Sequence, residues 1–226
     1  MVDQISGQIL GVGLWLGVVL IAAELVARFT PLGGEVSRKV VHIGVGNVIL
    51  LAWWLNIPAW VGITAAALSS VATLISYWYP VLASVSGVGR KSFGTFFYCV
   101  SIGVLIAYFW PQGLQAHAVL GVLVMTWGDG LAALIGQRFG KHGYEVWGMT
   151  KSWEGTGTMA IASTLVSGIT LSIAYGFAWP TVLTAVVVAV VATGLESFSK
   201  FGLDNLSVPL GSGFLSFALI RLWMGG

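Results

Sequence analysis

Charged residues are scarce in this sequence. Aspartate, glutamate, lysine and arginine make up only 8% of its 226 residues, whereas 57% are hydrophobic. Soluble domains carry about 25% charged residues, so the composition excludes an ordinary soluble protein and predicts an integral membrane protein. The net charge of +2 by itself indicates no class of partner.

The sequence also has little cysteine and lacks the common motifs of soluble nucleotide-binding proteins, metalloproteases and serine hydrolases. The one cysteine, Cys99, excludes an internal disulfide bond and a cysteine metal cluster. Gly136 and Gly140 are separated by three residues, whereas a P-loop has four and a Ser or Thr after its lysine. HExxH and GxSxG are missing too, so any nucleotide chemistry needs another kind of site.

Long apolar runs fill most of the chain. A bilayer core of about 30 Å needs roughly 20 apolar residues per helix. The sequence therefore predicts an all-α integral membrane protein, a polytopic bundle of about eight transmembrane helices with six as the lower bound. We expect one transmembrane catalytic domain over residues 1–226. The predicted spans are residues 5–27, 40–55, 59–79, 93–110, 118–137, 156–178, 180–197 and 209–223.

Basic residues occur in every second connection between these spans. The second, fourth and sixth connections contain none. The positive-inside rule therefore places the odd-numbered connections in the cytoplasm and both termini outside. The basic residues of the odd-numbered connections are Arg28, Arg38, Lys39, Arg90, Lys91, Arg138, Lys141, Lys151 and Lys200.

Asp129 interrupts an apolar run in the most polar part of the chain, residues 126–157. It precedes Arg138 by nine residues, about 13 Å along a helix at roughly 1.5 Å per residue. A charge at that depth is costly unless it is paired or hydrated. No cation lies three or four residues away on its own helix. Its partner is therefore a residue of another helix, water or a metal ion.

Small residues follow a four-residue repeat around this aspartate, at Gly128, Ala132, Gly136 and Gly140. Such a stripe allows close helix packing. The glycines on either side of the aspartate would also allow the helix to break at this point.

Several polar residues allow both a structural and a functional interpretation. Lys151 with Glu154 and Glu196 with Lys200 have the spacing of helical ion pairs. Ser152 is placed to cap the sixth span, and Glu24 with Arg28 predicts a structural pair. Asp204 and Asn205, in a predicted cytoplasmic loop, offer the oxygen ligands that Mg²⁺ prefers or form a plain turn. Arg38, Lys39 and His42 are interfacial anchors or an anion site, and His117 and His142 are expected to be solvated loop residues.

Phosphoryl transfer needs Mg²⁺ on the phosphates, cations to neutralise charge and a carboxylate for the nucleophile. Residues suited to all three roles lie on the predicted cytoplasmic side. A site that reaches inward to Asp129 would let a soluble nucleotide meet a lipid alcohol, although a lipid nucleotidyltransferase needs the same parts.

Five segments together resemble the polyprenol kinase family, which includes dolichol, phytol and farnesol kinases, and most closely its cyanobacterial and plastid phytol kinases. The fourth segment also resembles phosphatidate cytidylyltransferases, but their longer aspartate- and lysine-rich signature near the C-terminus is absent. The five segments are residues 38–44 (RKVVHIG), 128–132 (GDGLA), 136–140 (GQRFG), 151–155 (KSWEG) and 204–209 (DNLSVP).

The resemblance implies transfer of the terminal phosphate of CTP, or another nucleoside triphosphate, to phytol, in salvage toward tocopherol and phylloquinone. It implies Mg²⁺ as cofactor and a lipid alcohol (phytol, geranylgeraniol or farnesol), a nucleotide and the bilayer as partners, with no nucleic acid and with a homodimer left open. It places the protein in a bacterial or cyanobacterial cell or thylakoid membrane, with the active site on the cytoplasmic side. A kinase of dolichol, farnesol or diacylglycerol, a cytidylyltransferase and a small ion-coupled transporter remain alternatives.

Residue roles follow from the resemblance as expectations. Catalytic roles are expected for Asp129, Lys151 and Glu154. Nucleotide binding is expected for Arg38, Lys39, His42, Arg138, Lys141, Lys151, Ser152 and Asn205. Metal binding is expected for Asp129, Glu154, Glu196 and Asp204.

Overall fold

Apolar helices make up nearly all of the protein in a computed structural model that describes residues 2–29, 33–76 and 93–225. Arg90 and Lys91, two of the predicted topology determinants, lie outside the described residues. The helices are α1 Val2–Phe29, α2 Gly33–Gly46, α3 Val48–Trp54, α4 Ala59–Ser76, α5 Gly94–Phe109, α6 Gln115–Leu123, α7 Gly130–Phe139, α8 Trp153–Tyr175, α9 Trp179–Ser197 and α10 Asp204–Met224.

Within the described ranges, eight helical segments are long and apolar enough to cross a membrane. This confirms the prediction of an all-α multi-pass bundle. They are Ile5–Phe29, Val36–Trp54, Ala59–Ser76, Gly94–Gln112, Gln115–Phe139, Trp153–Tyr175, Trp179–Ser197 and Asp204–Met224.

The eighth span begins at Asp204, five residues before its predicted start at Pro209. A proline inside a helix removes one backbone hydrogen bond, and the rest of α10 tolerates that loss. Asp204 and Asn205 therefore lie in the first turn of a helix, and their predicted place in a loop is wrong.

The sixth span also begins earlier than predicted, at Trp153. The Ser152 hydroxyl oxygen accepts a hydrogen bond from the Gly155 backbone N–H at 3.2 Å, which confirms the predicted cap. The second span consists of α2 and α3, which meet at Asn47. The Asn47 side-chain amide donates to the Ile43 carbonyl at 2.9 Å, and such a bond competes with regular helical pairing.

The helix that carries Asp129 widens and does not break at the flanking glycines. Residues Val124–Asp129 form a π-helical turn between α6 and α7. Single π turns inside α-helices are rare and occur often at functional sites. The turn shifts the register between the buried α6 and the glycine-rich α7, and it ends on the aspartate itself.

A β-hairpin that the sequence interpretation missed joins α7 to α8. Strands β1 (Gly143–Val146) and β2 (Met149–Ser152) pair antiparallel. Trp147 and Gly148 both have positive φ, 56° and 77°, as a tight two-residue hairpin turn requires. Lys151 therefore lies on a strand, not at the start of a helix.

The small-residue stripe packs α7 against α8. A Cβ atom added at Gly136 would lie 3.0 Å from the Ser152 hydroxyl, and one at Gly155 would lie 3.0 Å from the Ala132 carbonyl oxygen. The packing interpretation of the stripe is therefore confirmed.

His117 is buried in α6, so its predicted position in a solvated loop is wrong. Its ring is 1% exposed. Nδ1 lies 2.9 Å from the Ser216 hydroxyl and Nε2 lies 2.8 Å from the Tyr175 hydroxyl. The fifth span begins at Gln115, three residues before the predicted start, and α8 and α10 supply both polar partners.

Gly121→Ala is expected to destabilise the bundle. A Cβ atom at this position of α6 would clash with the Pro209 carbonyl oxygen and would lie 3.2 Å from the Gly213 nitrogen, both backbone atoms of α10. Overpacking of this kind costs about 1–3 kcal/mol, so the melting temperature in detergent should fall. In the matched control Gly157→Ala, no atom lies within 4 Å of the new Cβ, and a fall of similar size there would contradict this account.

Candidate active site

Asp129 is paired with a lysine of another helix. Lys39 Nζ of α2 donates to Asp129 Oδ2 at 2.8 Å. The Lys39 and Asp129 side chains are only 9% and 18% exposed. Of the partners that the sequence left open, the structure shows a residue of another helix, Lys39, which the sequence interpretation had assigned to nucleotide binding.

The same carboxylate faces His42, one turn further along α2. His42 Nε2 lies 3.7 Å from Asp129 Oδ2 and 3.4 Å from the Met125 carbonyl oxygen. Two acceptors facing one ring nitrogen favour the tautomer with the proton on Nε2. Gly130 makes this approach possible, because a Cβ atom there would lie 2.8 Å from Ile43 of α2.

A second ion pair joins the hairpin to the end of α9. Lys151 Nζ donates to Glu196 Oε1 at 2.6 Å and to the Glu196 carbonyl oxygen at 2.6 Å. The helical pairs Lys151–Glu154 and Glu196–Lys200, which the spacing left open, do not form. The strand position of Lys151 turns it toward α9, and the Lys200 ammonium lies 5.1 Å from the centre of the Phe201 ring.

Asp204, at the start of α10, adds a third carboxylate. Its Oδ1 accepts from the backbone N–H and the side-chain amide of Asn205, at 3.0 Å and 3.1 Å. Asp204 interacts electrostatically with Asp129 and Lys151, and Glu196 interacts with both aspartates. We call Lys39, His42, Asp129, Lys151, Glu196, Asp204 and Asn205 the charged cluster.

Each of the three carboxylates in the charged cluster uses only one oxygen. Asp129 Oδ1, Glu196 Oε2 and Asp204 Oδ2 have no hydrogen-bond partner within the described parts of the chain. None of the three is among the fully buried side-chain atoms without a partner in the described residues. Negative charge with free lone pairs can bind a cation or accept a proton.

The charged cluster lies near one end of the bundle, although Asp129 is in the middle of its own span. Lys39 follows the start of the second span at Val36 by three residues, Glu196 is the penultimate residue of α9, and Asp204 opens α10. Helix α7 therefore continues past the level of these helix ends. Asp129 lies closer to the charged end of the bundle than its position in the middle of its own span predicts.

Glu154 lies apart from the charged cluster, on the hairpin side. Its Oε1 is 2.7 Å from His142 Nδ1, and its Oε2 accepts from the His142 backbone N–H at 3.4 Å. Both oxygens are thus engaged by one residue of the loop before β1. The His142 side chain is 77% exposed, as predicted for a solvated loop residue.

Three other predicted nucleotide-binding cations, Arg38, Arg138 and Lys141, have exposed side chains. The Arg138 guanidinium carbon lies 5.5 Å from the centre of the Phe139 ring. Arg38 interacts electrostatically with His42 of the charged cluster, and neither Arg138 nor Lys141 contacts the cluster within the described residues. Ser152 is engaged as the cap of α8.

Tyr98 of α5 is a neighbour of the site that the sequence interpretation missed. Its ring lies 5.2 Å from that of His42, and its hydroxyl is 2.6 Å from the Thr126 hydroxyl. Thr126 in turn donates to the Val122 carbonyl at 2.7 Å, so Tyr98 is the donor to Thr126. The signal in the sequence was a tyrosine within an apolar run, which fits an ordinary core residue equally well.

Comparison with curated proteins finds close relatives. Over 211 residues the chain is 51% identical to the phytol kinase of Synechocystis, covering 93% of this chain and 91% of that protein. It is 29% identical to phytol kinase 1 of Arabidopsis thaliana, covering 88% and 72%. It is 27% identical to the farnesol kinase of the same plant, covering 82% and 66%.

No model of a protein family matches the chain, and no solved structure does. The apolar bundle, the charged cluster at one end of it and these relatives define a membrane-embedded kinase, a phosphotransferase with an alcohol acceptor. The chain belongs to the phytol kinase family, within the polyprenol kinases. This confirms the resemblance seen in the five sequence segments.

Removing either member of the Lys39–Asp129 pair alone should destabilise the protein. Lys39→Met leaves a buried carboxylate without its counter-charge, and breaking a buried pair in this way costs about 3–5 kcal/mol. The double variant Lys39→Met/Asp129→Asn removes both charges and should recover much of the loss. Melting temperatures in detergent of the wild type, the two single variants and the double variant measure the coupling between the two residues. Additive effects of the two substitutions would contradict this pairing.

Proposed function

We propose that this protein is a phytol kinase that transfers the terminal phosphate of CTP, or of another nucleoside triphosphate, to the hydroxyl of phytol. The observation that carries the proposal is the charged cluster at one end of an apolar bundle, in a chain 51% identical to a phytol kinase. The products are phytyl phosphate and CDP. A role in supplying tocopherol and phylloquinone synthesis belongs to the same proposal.

The proposed reaction forms a bond between the phytol oxygen and the terminal phosphorus. The bond between that phosphorus and the bridging oxygen of the nucleotide breaks, and the electron pair leaves with CDP. The hydroxyl proton goes to a carboxylate. Asp129 Oδ1 is suited to take it, because Lys39 holds the other oxygen and orients the group.

Cations of the charged cluster would neutralise charge that develops on the phosphates. Lys151 is fixed by two hydrogen bonds to Glu196 and keeps a third donor for a ligand. The nearby N-terminus of α8 favours anions through its backbone N–H groups. The exposed Arg38, Arg138 and Lys141 would attract the nucleotide from water, with effects that weaken as salt increases.

The carboxylates of the charged cluster fit Mg²⁺ bound together with a nucleotide. Within the described residues, no three His, Cys, Asp or Glu side chains form a complete metal site. Mg²⁺ commonly takes one or two carboxylates, with water and substrate phosphates as its other ligands. Glu196 and Asp204 would hold the ion, which would neutralise charge on the phosphates, and Asp129 Oδ1 stays free for the hydroxyl proton. Glu154, with both oxygens on His142, is less suited.

The cytoplasmic side is the proposed location of the site. Lys39, Arg138, Lys141 and Lys151 all lie at the end of the bundle that carries the charged cluster, and the positive-inside rule assigns that end to the cytoplasm. A nucleotide would then arrive from the cytoplasm and phytol from the bilayer. The farnesol kinase relative supports a range of prenol acceptors.

Asp129→Asn is expected to abolish phosphoryl transfer while the protein remains folded in the membrane. Loss of a general base reduces rates by about 10²–10⁴-fold. The assay uses purified protein with phytol, Mg²⁺ and γ-labelled CTP, and follows label into the organic phase. Glu24→Gln is the control, because Glu24 pairs with Arg28 on the exposed face of α1 at 2.6 Å, away from the charged cluster.

Other outcomes of this assay point elsewhere. Full activity of Asp129→Asn would remove Asp129 from any essential role. Release of pyrophosphate with phosphatidate as acceptor would indicate a cytidylyltransferase, and no turnover on any lipid alcohol would leave the transporter to test.

The Mg²⁺ requirement should distinguish Glu196 and Asp204 from Glu154 as ligands of the ion. Glu196→Gln and Asp204→Asn are expected to raise the Mg²⁺ concentration for half-maximal activity by about tenfold, the factor that corresponds to about 1.4 kcal/mol of binding free energy. Glu154→Gln should change it less, because both Glu154 oxygens are engaged by His142. Mg²⁺ titrations at saturating CTP measure these values, and the reverse order would assign Glu154 to the metal.

A further inference from the structure

An apolar groove opens near the charged cluster. It has a volume of about 280 Å³ and is lined by Trp15, Asn47, Leu50, Leu51 and Trp127. It lies between α1, the broken second span and the π turn that ends on Asp129. Its surface is almost entirely apolar, and Trp15 and Leu50 are 36% and 39% exposed.

The polar atoms of the groove are all turned into the protein. Trp15 Nε1 donates to the Gly44 carbonyl at 2.7 Å. Trp127 Nε1 donates to Asn47 Oδ1 at 3.1 Å, while the Asn47 amide donates to the Ile43 carbonyl. These bonds hold both indole rings in place, so the groove presents two fixed aromatic walls and no free polar group.

The groove begins near the charged cluster and extends away from the charged end of the bundle. Trp127 precedes Asp129 by two residues on the same turn. Asn47 follows His42 by five residues, about 7 Å along the helix at roughly 1.5 Å per residue. Leu50 and Leu51 lie further in the same direction.

We propose that this groove binds the isoprenoid chain of the lipid alcohol, next to its hydroxyl end. The inference rests on the proposed function and names the part of the protein that recognises the acceptor. A chain in the groove places its hydroxyl toward the charged cluster while the remainder stays in the bilayer. Lipid tails are as apolar as the groove, so the groove acts by orienting the branched chain between two rings.

A second apolar groove serves as the comparison site. It lies between α8 and α9, is larger at about 530 Å³, and includes Leu165 and Ile169 among its lining residues. Its nearest residue to the hairpin, Thr164, follows Glu154 by ten positions, about 15 Å along α8. An alcohol whose chain lay there would have its hydroxyl far from Asp129, so this groove does not suit the substrate.

Photocrosslinking on the wild-type protein in lipid nanodiscs tests the proposal directly. The probe is a phytol analogue with a diazirine on the carbon chain near the hydroxyl, and peptides are mapped by mass spectrometry. We expect label on Trp15, Leu50, Leu51 or Trp127 that excess phytol removes. Labelling that is concentrated at Leu165 and Ile169, or spread evenly over lipid-facing residues, would overturn the proposal.

Leu50→Trp fills the groove, and Leu165→Trp is the matched control in the second groove, where Leu165 is 59% exposed. Leu50→Trp should lower kcat/KM for phytol about tenfold, a change that corresponds to about 1.4 kcal/mol of free energy. Its KM for CTP, and its activity on the five-carbon alcohol prenol, should stay unchanged. Leu165→Trp should leave kcat/KM unchanged for both phytol and prenol.

The outcomes separate the groove from the function. If the wild type phosphorylates phytol and Leu50→Trp does so equally well, the groove assignment is wrong and the kinase stands. If the wild type phosphorylates neither phytol nor any other isoprenoid alcohol, the proposed function itself is wrong. Equal losses on phytol and on the short alcohol in Leu50→Trp would show general damage and would also overturn the assignment.

Discussion

Counter-charge for a buried carboxylate is the constraint on which the arrangement of this protein depends. Asp129 lies within an apolar helix, where an isolated charge is costly, and Lys39 of α2 supplies the compensating ammonium at 2.8 Å. That contact ties the first pair of helices to the central one. Glu196 obtains the same compensation from Lys151 at 2.6 Å, which ties the hairpin to α9.

Three local features bring these residues together. Gly130 and the stripe of Gly128, Ala132 and Gly136 let α2 and α8 approach the helix that carries Asp129. The π turn changes the register ahead of the aspartate. The hairpin directs Lys151 toward α9 and leaves Glu154 to hold His142. Each feature is small in energy, but together they orient charges from five segments at one end of the bundle.

This arrangement suits an enzyme whose two substrates come from different phases. In the proposed reaction, the exposed cations and the carboxylate oxygens would meet a nucleotide at the charged end of the bundle. The groove between Trp15 and Trp127 would receive the chain of a lipid alcohol from the bilayer. Asp129 lies near the junction of the two surfaces, and the charged cluster contains residues from four of the five segments that carry the family resemblance.

The sequence by itself determined the class of protein, the eight apolar spans, the cap at Ser152 and all seven members of the charged cluster. Composition and short spacings are local properties, and they survive in the fold because the bilayer demands helices of a set length. Only the tertiary structure decided which charged residues form ion pairs with each other. Lys39 meets Asp129 across 90 positions, and Lys151 meets Glu196 across 45. The spacing of Lys151 with Glu154 favoured a pair that the hairpin prevents, and His117 is buried because α8 and α10 supply partners from distant parts of the chain. Pairing across helices depends on packing geometry, which no local pattern of residues encodes.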